Sequence, residues 1–537
     1  MRTSKLFDDV FSVSHAALEL KNVMAQRVLA DRVPDFLKEE SINAHAIQLS
    51  LQAYDPERLK HKARLLVNSA SEFCAGLTSA LSAHGYEVIK SDGNSDSEAS
   101  AGDKCHSDLI VADQIFSNQR FGEFYLGFLA EHRRDLTEKL TGCIAADRPV
   151  VVFTAKKVYF NQLRMSKVLR DKGYRTIALV FDCSMAQHQA GFFDEVIYTD
   201  LLSFLLFLNK FDEDVLLHTQ GWLFRYHIPV IIDMYKSTRC KQIIEMMDSQ
   251  SFYLPESLFS KFPNSLKQAW GDNVLENHAV QLACEYYIVH HSDGVIFNGD
   301  ETYREPLVKR DSQGLRDKHL AFPALPLKDF FYISNQSNQQ KRLVFVGGIP
   351  PLTNNRPHEL FGDSQLLNLV KSLIDSGCYL DIYNNPLLAP ESEYKRLYPD
   401  YMDMAKSSDR FNFYAGDMPQ YINQIISAYD IGLMVYDFCG TYAGDLHFKH
   451  LIPTKLFNYL EAGLPVLVSE RFSAVCNIVK EYDIGVIIGP DELDLIPEIV
   501  AVTDIARLKK NVVAAREKLQ MHNNIDRLTG FYQQVMA

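Results

Sequence analysis

A lysine one residue inside a helix start is the strongest chemical signal in this sequence. Lys455 follows Pro453-Thr454. Pro is tolerated in a first helical turn because an N–H there has no intrahelical partner, and Thr can cap the free donors. Leu456, Phe457, Tyr459 and Leu460 give the helix an apolar face. Gly463 stops it, and Pro465 leads into the buried strand Val466-Leu467-Val468. Free N–H groups, the positive end of a helix dipole and an ammonium together bind phosphate. The bland alternative is an ordinary helix-to-strand turn. A second phosphate-compatible element is Gly347-Gly348, which ends the apolar run beginning at Arg342. Glycine lets backbone N–H groups approach a phosphate closely, although any strand-to-loop turn can use it.

These groups need elements to hold them, and the sequence supplies two series of alternating strand-like and helix-like segments. That pattern predicts parallel sheets with helices on both faces. The first series has strand candidates at 150–154, 176–181, 195–198, 215–218, 229–233 and 294–297. The second has them at 342–346, 379–383, 411–414, 431–435, 465–468 and 485–488. The expected organisation is an N-terminal extension over 1–147, a first domain over 148–330, a polar linker over 331–341, a second domain over 342–500 and C-terminal helices over 501–537. The extension reads as a helical segment followed by a small βαβ unit. A receiver-like phosphoacceptor at Asp113 is disfavoured, because Asn68-Ser69 stands where an acidic pair is needed.

Composition bounds the function classes. The chain has 537 residues, 47% of them apolar and 23% charged, as in an ordinary soluble protein of several domains. A net charge of −13 argues against general nucleic-acid binding. The nine cysteines are scattered without a Cys-x-x-Cys pair, which fits reduced thiols in a cytoplasm. No apolar run approaches the roughly 20 residues that span a bilayer. The longest, Leu201–Leu208, reads as a buried helix.

The Pro453–Val466 stretch resembles the nucleotide-sugar site of GT-B glycosyltransferases of the family-4 type (glycosyl transferases group 1). Pro453, Lys455, Leu456, Phe457, Tyr459, Leu460, Ala462, Gly463, Pro465 and Val466 fit that pattern. Upstream, Val344-Phe-Val-Gly-Gly348, Phe413-Tyr-Ala-Gly416 and Ala428-Tyr-Asp-Ile-Gly-Leu433 follow the family's order and spacing. The first half matches more loosely, through Glu285 and the run His291–Phe297.

The resemblance implies an α/β fold of two Rossmann-like doubly wound domains facing across a cleft, and a retaining, metal-independent hexosyltransferase. It would move a sugar from a UDP- or GDP-linked donor to a glycan, lipid-linked or protein acceptor in bacterial polysaccharide biosynthesis, with no other cofactor. The donor diphosphate would meet Gly347, Gly348, Arg356, Thr454 and Lys455. His218 and Asp233, at the expected ends of two first-domain strands, are the catalytic candidates. A buried, hydrogen-bonded His and a turn-capping Asp are the bland readings of that pair. The family's Glu-x7-Glu pair falls on His450 and Asn458, neither of them acidic. An Asn keeps one acceptor but loses a charge-assisted bond, typically stronger by ~1–2 kcal/mol. Glu461, one turn on, could substitute in part, and Gly416 would lie on the same ribose and base side. Two alternatives stand beside this reading: a non-catalytic GT-B-like scaffold, and a nucleotide-sugar epimerase of the same fold.

Outside that pattern, basic residues cluster between Lys156 and Arg175. The cluster suggests peripheral contact with the inner face of the cell membrane, and a solvated helix face is the simpler reading. Asp212-Glu-Asp214 spells an Asp-x-Asp metal motif, but in a turn before a strand, and no metal site is expected.

Overall fold

The computed structural model describes residues 66–68, 89–91 and, apart from short stretches, 136–537. Strands β1 (Leu66–Asn68) and β2 (Ile89–Ser91) pair in parallel. The expected helical segment before residue 60, and Asp113, lie outside the described residues.

The first large sheet holds β3 (Val150–Ala155), β4 (Arg175–Val180), β5 (Glu195–Tyr198), β6 (Val215–Gly221), β7 (Cys240–Met246), β8 (Gly294–Phe297) and β9 (His319–Ala321). Its order is β5-β4-β3-β6-β7-β8-β9, parallel throughout. The second holds β10 (Arg342–Gly347), β11 (Tyr379–Asn384), β12 (Phe411–Ala415), β13 (Ile431–Met434), β14 (Val466–Ser469) and β15 (Gly485–Ile488). Its order is β12-β11-β10-β13-β14-β15, again parallel. Each sheet starts at its centre, runs to one edge and returns to build the other half. This is the doubly wound Rossmann order, whose ligands bind beyond the strand carboxyl ends where the order reverses. The chain is therefore an α/β protein with two doubly wound domains, the GT-B architecture. The strands are rich in Val, Ile and Leu because helices cover them on both faces.

The helices that place the site are α1 (Phe160–Asp171), α2 (His227–Tyr235), α3 (Gln250–Tyr253), α4 (Pro263–Trp270), α5 (Val274–His291), α6 (Pro419–Ile426), α7 (Asp445–His450), α8 (Thr454–Glu461), α9 (Ile505–Leu519) and α10 (Met521–Met536). The last of these lies on the first sheet. Phe531 and Val535 pack where Gly294 has no side chain, and Lys172 pairs with Asp526 at 2.7 Å.

Three first-domain elements differ from the sequence reading, the short edge strand β9 being one that it does not contain. Residues 229–233 form part of α2, not a strand. A short unbroken apolar run cannot be assigned to helix or strand by periodicity alone, and here tertiary packing makes it a buried helix. The strand at that point of the sheet is β7, whose Lys241, Gln242 and Glu245 interrupt the apolar pattern although most of the strand is buried.

Candidate functional site

The order of the second sheet reverses between β10 and β13, and Lys455 sits at that point. Its Nζ lies 3.7 Å from the centroid of the Phe345 ring on β10 and bonds to the hydroxyl of Tyr436, two residues past β13. A Cβ on Gly347 would fall 2.9 Å from both Cε and Nζ of Lys455. The missing side chain at the end of β10 is therefore what admits the ammonium. Lys455 and Gly347, far apart in sequence, are brought together. Phe345, from the Val344–Gly348 run, and Tyr436, which no sequence motif singles out, complete the group.

The helix carrying Lys455 is anchored from beneath. The Tyr459 hydroxyl accepts from Val346 N at 3.0 Å and contacts the carbonyls of Leu433 (3.0 Å) and Val344 (3.2 Å), joining α8 to both strands that flank the reversal. A Cβ on Gly432 would lie 2.4 Å from Tyr459 Cγ. The glycine of the Ile431-Gly-Leu run and the tyrosine of the lysine helix are thus two halves of one contact. No side chain caps α8 at Pro453. Thr454 is the first helical residue, and its hydroxyl points to Asn161 Oδ1 at 3.3 Å rather than capping its own helix.

The face of α8 formed by Thr454, Asn458 and Glu461 meets α1 of the first domain. Arg164 donates from Nε to Glu461 Oε1 (3.1 Å) and from Nη2 to Glu461 Oε2 (2.8 Å) and Asn458 Oδ1 (2.8 Å). Neither charged side chain is exposed. Glu461 also accepts from Leu327 N and from Asn423 Nδ2 of α6, each at 2.7 Å. Four donors fill its carboxylate, so it has no oxygen left for a ribose. Asn458 is turned toward the first domain. His450 is buried as well, its Nδ1 2.8 Å from Thr302 Oγ1, beside the bridge that joins Gly299 to Leu451. Three of the four residues expected on the ribose side, His450, Asn458 and Glu461, make up much of the joint between the domains. Gly416 packs at the strand ends, where a Cβ would lie 2.7 Å from Asn384 O.

Gly348 lies against Leu388, and Asn384 pins the turn that follows through both the N–H and the carbonyl of Ile349. Arg356 lies outside the described residues.

The catalytic candidates do not project into this site. His218 is fully buried in mid-strand, with Nδ1 2.7 Å from the Tyr532 hydroxyl of α10 and Nε2 3.7 Å from Glu245 Oε2. Burial lowers its pKa to about 3 and raises that of Glu245 to about 7. A neutral histidine in a core network is the reading that fits. Asp233, moved from a strand end onto α2, accepts from the Tyr287 hydroxyl (2.9 Å) and pairs with Lys236 (3.2 Å). Glu285 takes two bonds from Ser251, its N–H at 3.1 Å and its hydroxyl at 2.6 Å, at the start of α3.

The described residues of the basic segment do not form a bare cationic face. Arg164 is internal, Lys167 pairs with Asp171 and Asp329, Arg170 with Asp194, and Lys172 with Asp526. Lys156 and Lys157 lie outside the described residues. Asp214 is exposed and paired with Arg239 at 3.0 Å. Among the described residues no helix is long and apolar enough to cross a membrane, and no three His, Cys, Asp or Glu side chains are grouped to hold a metal.

No protein-family model and no curated protein matches the sequence. Many solved structures are similar in part, among them the following three. AviGT4, a glycosyltransferase involved in avilamycin A biosynthesis, is 14% identical over 72% of this chain and 98% of its own, with a TM-score of 0.42. A UDP-glucosyltransferase from Polygonum tinctorium is 12% identical over 73% and 99%, with a TM-score of 0.40. A UDP-GlcNAc 2-epimerase from Neisseria meningitidis is 11% identical over 72% and 100%, with a TM-score of 0.39. Similarity at this level assigns no activity.

Proposed function

We propose that the chain is a glycosyltransferase of the family-4 type that uses a nucleotide-diphosphate sugar. The observation that carries this reading is the placement of Lys455 over Gly347 and beside Tyr436, at the point where the second sheet reverses. An anion there would meet an ammonium, the start of α8 and the backbone beyond Gly347. These are the groups that stabilise a departing diphosphate, and stabilising developing charge often contributes most to catalysis. The reaction would be retaining and metal-independent, with the protein supplying the positive charge. UDP- or GDP-linked sugars are the donor class. The acceptor would be a hydroxyl of a glycan, lipid-linked or protein substrate in cytoplasmic polysaccharide assembly, with its wall supplied by the first domain.

One observation favours a second reading, in which the chain binds the nucleotide without transferring sugar. His218 and Asp233 are engaged away from Lys455, so neither supplies a side chain to the reacting sugar.

The test is to incubate the protein with UDP-, GDP- and ADP-sugars and follow binding, sugar release and donor isomerisation. Binding with sugar release supports transfer. Binding without release supports the second reading, and reversible isomerisation without acceptor supports an epimerase. No binding of any nucleotide sugar contradicts the placement of the diphosphate.

A further inference from the structure

We propose that Arg164 of the first domain is a positioning residue for the donor helix, so that the site around Lys455 is complete only when the two domains are engaged. The inference rests on the diphosphate reading for its consequence, and on the contacts between α1 and α8 for its geometry.

Asn161 and Arg164 stand one turn apart on α1, and Thr454, Asn458 and Glu461 recur at i, i+4 and i+7 on α8. The two faces meet in a polar seam. Arg164 makes three bonds of 2.8 to 3.1 Å across it. Asn161 adds the longer contact to Thr454, and its Nδ2 donates to Glu245 Oε1 at 3.0 Å, tying the seam to β7. Groups outside the seam anchor α8 as well. Tyr459 fixes its middle, and Arg516 of α9 and Tyr332 N both bond to Glu461 O, at 2.8 Å each, at its end. Lys455 lies on the first turn, which has no side-chain cap. The second sheet, the linker and α9 thus hold α8 from one side, and the seam adds the first domain's hold from the other, at the first turn through Thr454 and farther along through Asn458 and Glu461.

The seam also gives position 458 a reason to be neutral. Arg164 directs Nε and one Nη2 hydrogen at Glu461, and the Asn458 carbonyl takes a further bond from Nη2. A carboxylate at 458 would put two anions on one fully buried cation, and the desolvation of the second would go uncompensated. A neutral carbonyl accepts the same bond without that cost. Position 458 serves the joint between domains, so ribose contacts come from other residues.

The experiment compares wild type with Arg164→Met/Glu461→Gln, which removes both charges. The amide introduced at position 461 still accepts from Leu327 N, and a flip of the Asn423 amide turns its Oδ1, buried without a partner, toward the N–H that replaces Glu461 Oε2. Two quantities are read at matched thermal midpoints. The first is amide exchange of Leu456, Phe457 and Leu460 on α8 without nucleotide, expected to rise at least fivefold in the variant while that of Leu433 on β13 is unchanged. The second is affinity for UDP and GDP, expected to fall at least tenfold, with the single variant Arg164→Lys intermediate. Unchanged exchange in the first turn overturns the inference. So does unchanged nucleotide affinity in a folded variant. If wild type binds neither UDP nor GDP, the proposed function fails, and the positioning role stands or falls on the exchange rates.

Discussion

Arg164 and Glu461 come from opposite domains and meet in a bidentate ion pair with neither side chain exposed. Breaking so buried a pair from one side is strongly destabilising, because the partner is left as an uncompensated charge. Arg164→Met alone should cost about 3–5 kcal/mol in urea denaturation. Arg164→Met/Glu461→Gln should recover most of that loss. A single variant as stable as wild type would show that the pair does not hold the joint.

Gly432 and Tyr459 are coupled sterically. Gly432→Ala places a methyl within 2.4 Å of Tyr459 Cγ, so it should destabilise the second domain by about 1–3 kcal/mol through overpacking. The same substitution in a Tyr459→Leu background should cost less, since the ring is gone. Strictly additive effects in a double-mutant cycle would contradict the contact.

Glu245 gives the protein a pH dependence of definite sign. Burial raises its pKa from 4.5 to about 7, opposed by the bond from Asn161. It faces Asn161 on α1, His218 on β6 and Tyr532 on α10. Between those two pH values the folded state holds a proton that the unfolded state releases. Its contribution to stability is therefore fully present below the unfolded pKa and is lost as pH rises through 7. Glu245→Gln lacks this loss. Relative to wild type the variant should gain about 2–3 kcal/mol between pH 5 and pH 8 in urea denaturation. A difference that does not change with pH would show that Glu245 is already ionised in the fold.

Much of the fold is legible in the sequence because parallel strands buried on both faces are apolar along their length. Val150–Ala155, Arg342–Gly347 and Val466–Ser469 stand out for that reason. Strand β7 does not, because Lys241, Gln242 and Glu245 break its pattern, and α2 reads as a strand because its Ile228–Ile232 run has no helical period. In the site, Lys455 and Gly347 are legible from helix-start and glycine chemistry. Arg164 is not. It sits in a run of basic residues, and nothing in one sequence says which member of a charged run turns inward to meet a residue 297 positions away. For the same reason His450, Asn458 and Glu461 point toward a ribose in the sequence when their partners lie in the other domain. His218 has a bland reading beside the catalytic one, and the Tyr532 contact from the last helix favours the bland one.

Gly347 separates binding from stability. The nearest atoms to its Cβ would be the flexible end of Lys455 and the Phe345 ring edge, at 2.9 and 3.2 Å. Gly347→Ala should displace the ammonium, leave the thermal midpoint within a few degrees, and weaken nucleotide binding about tenfold. Full affinity in that variant would mean that the close approach at Gly347 is incidental.

The most direct test is calorimetric titration of wild type and Lys455→Ala with UDP and GDP at low ionic strength. If Lys455 meets the diphosphate, the preferred nucleotide should lose at least tenfold in affinity while the corresponding nucleoside, which has no phosphate, binds both proteins equally. Equal affinity of the two proteins for the nucleoside diphosphate would contradict the site.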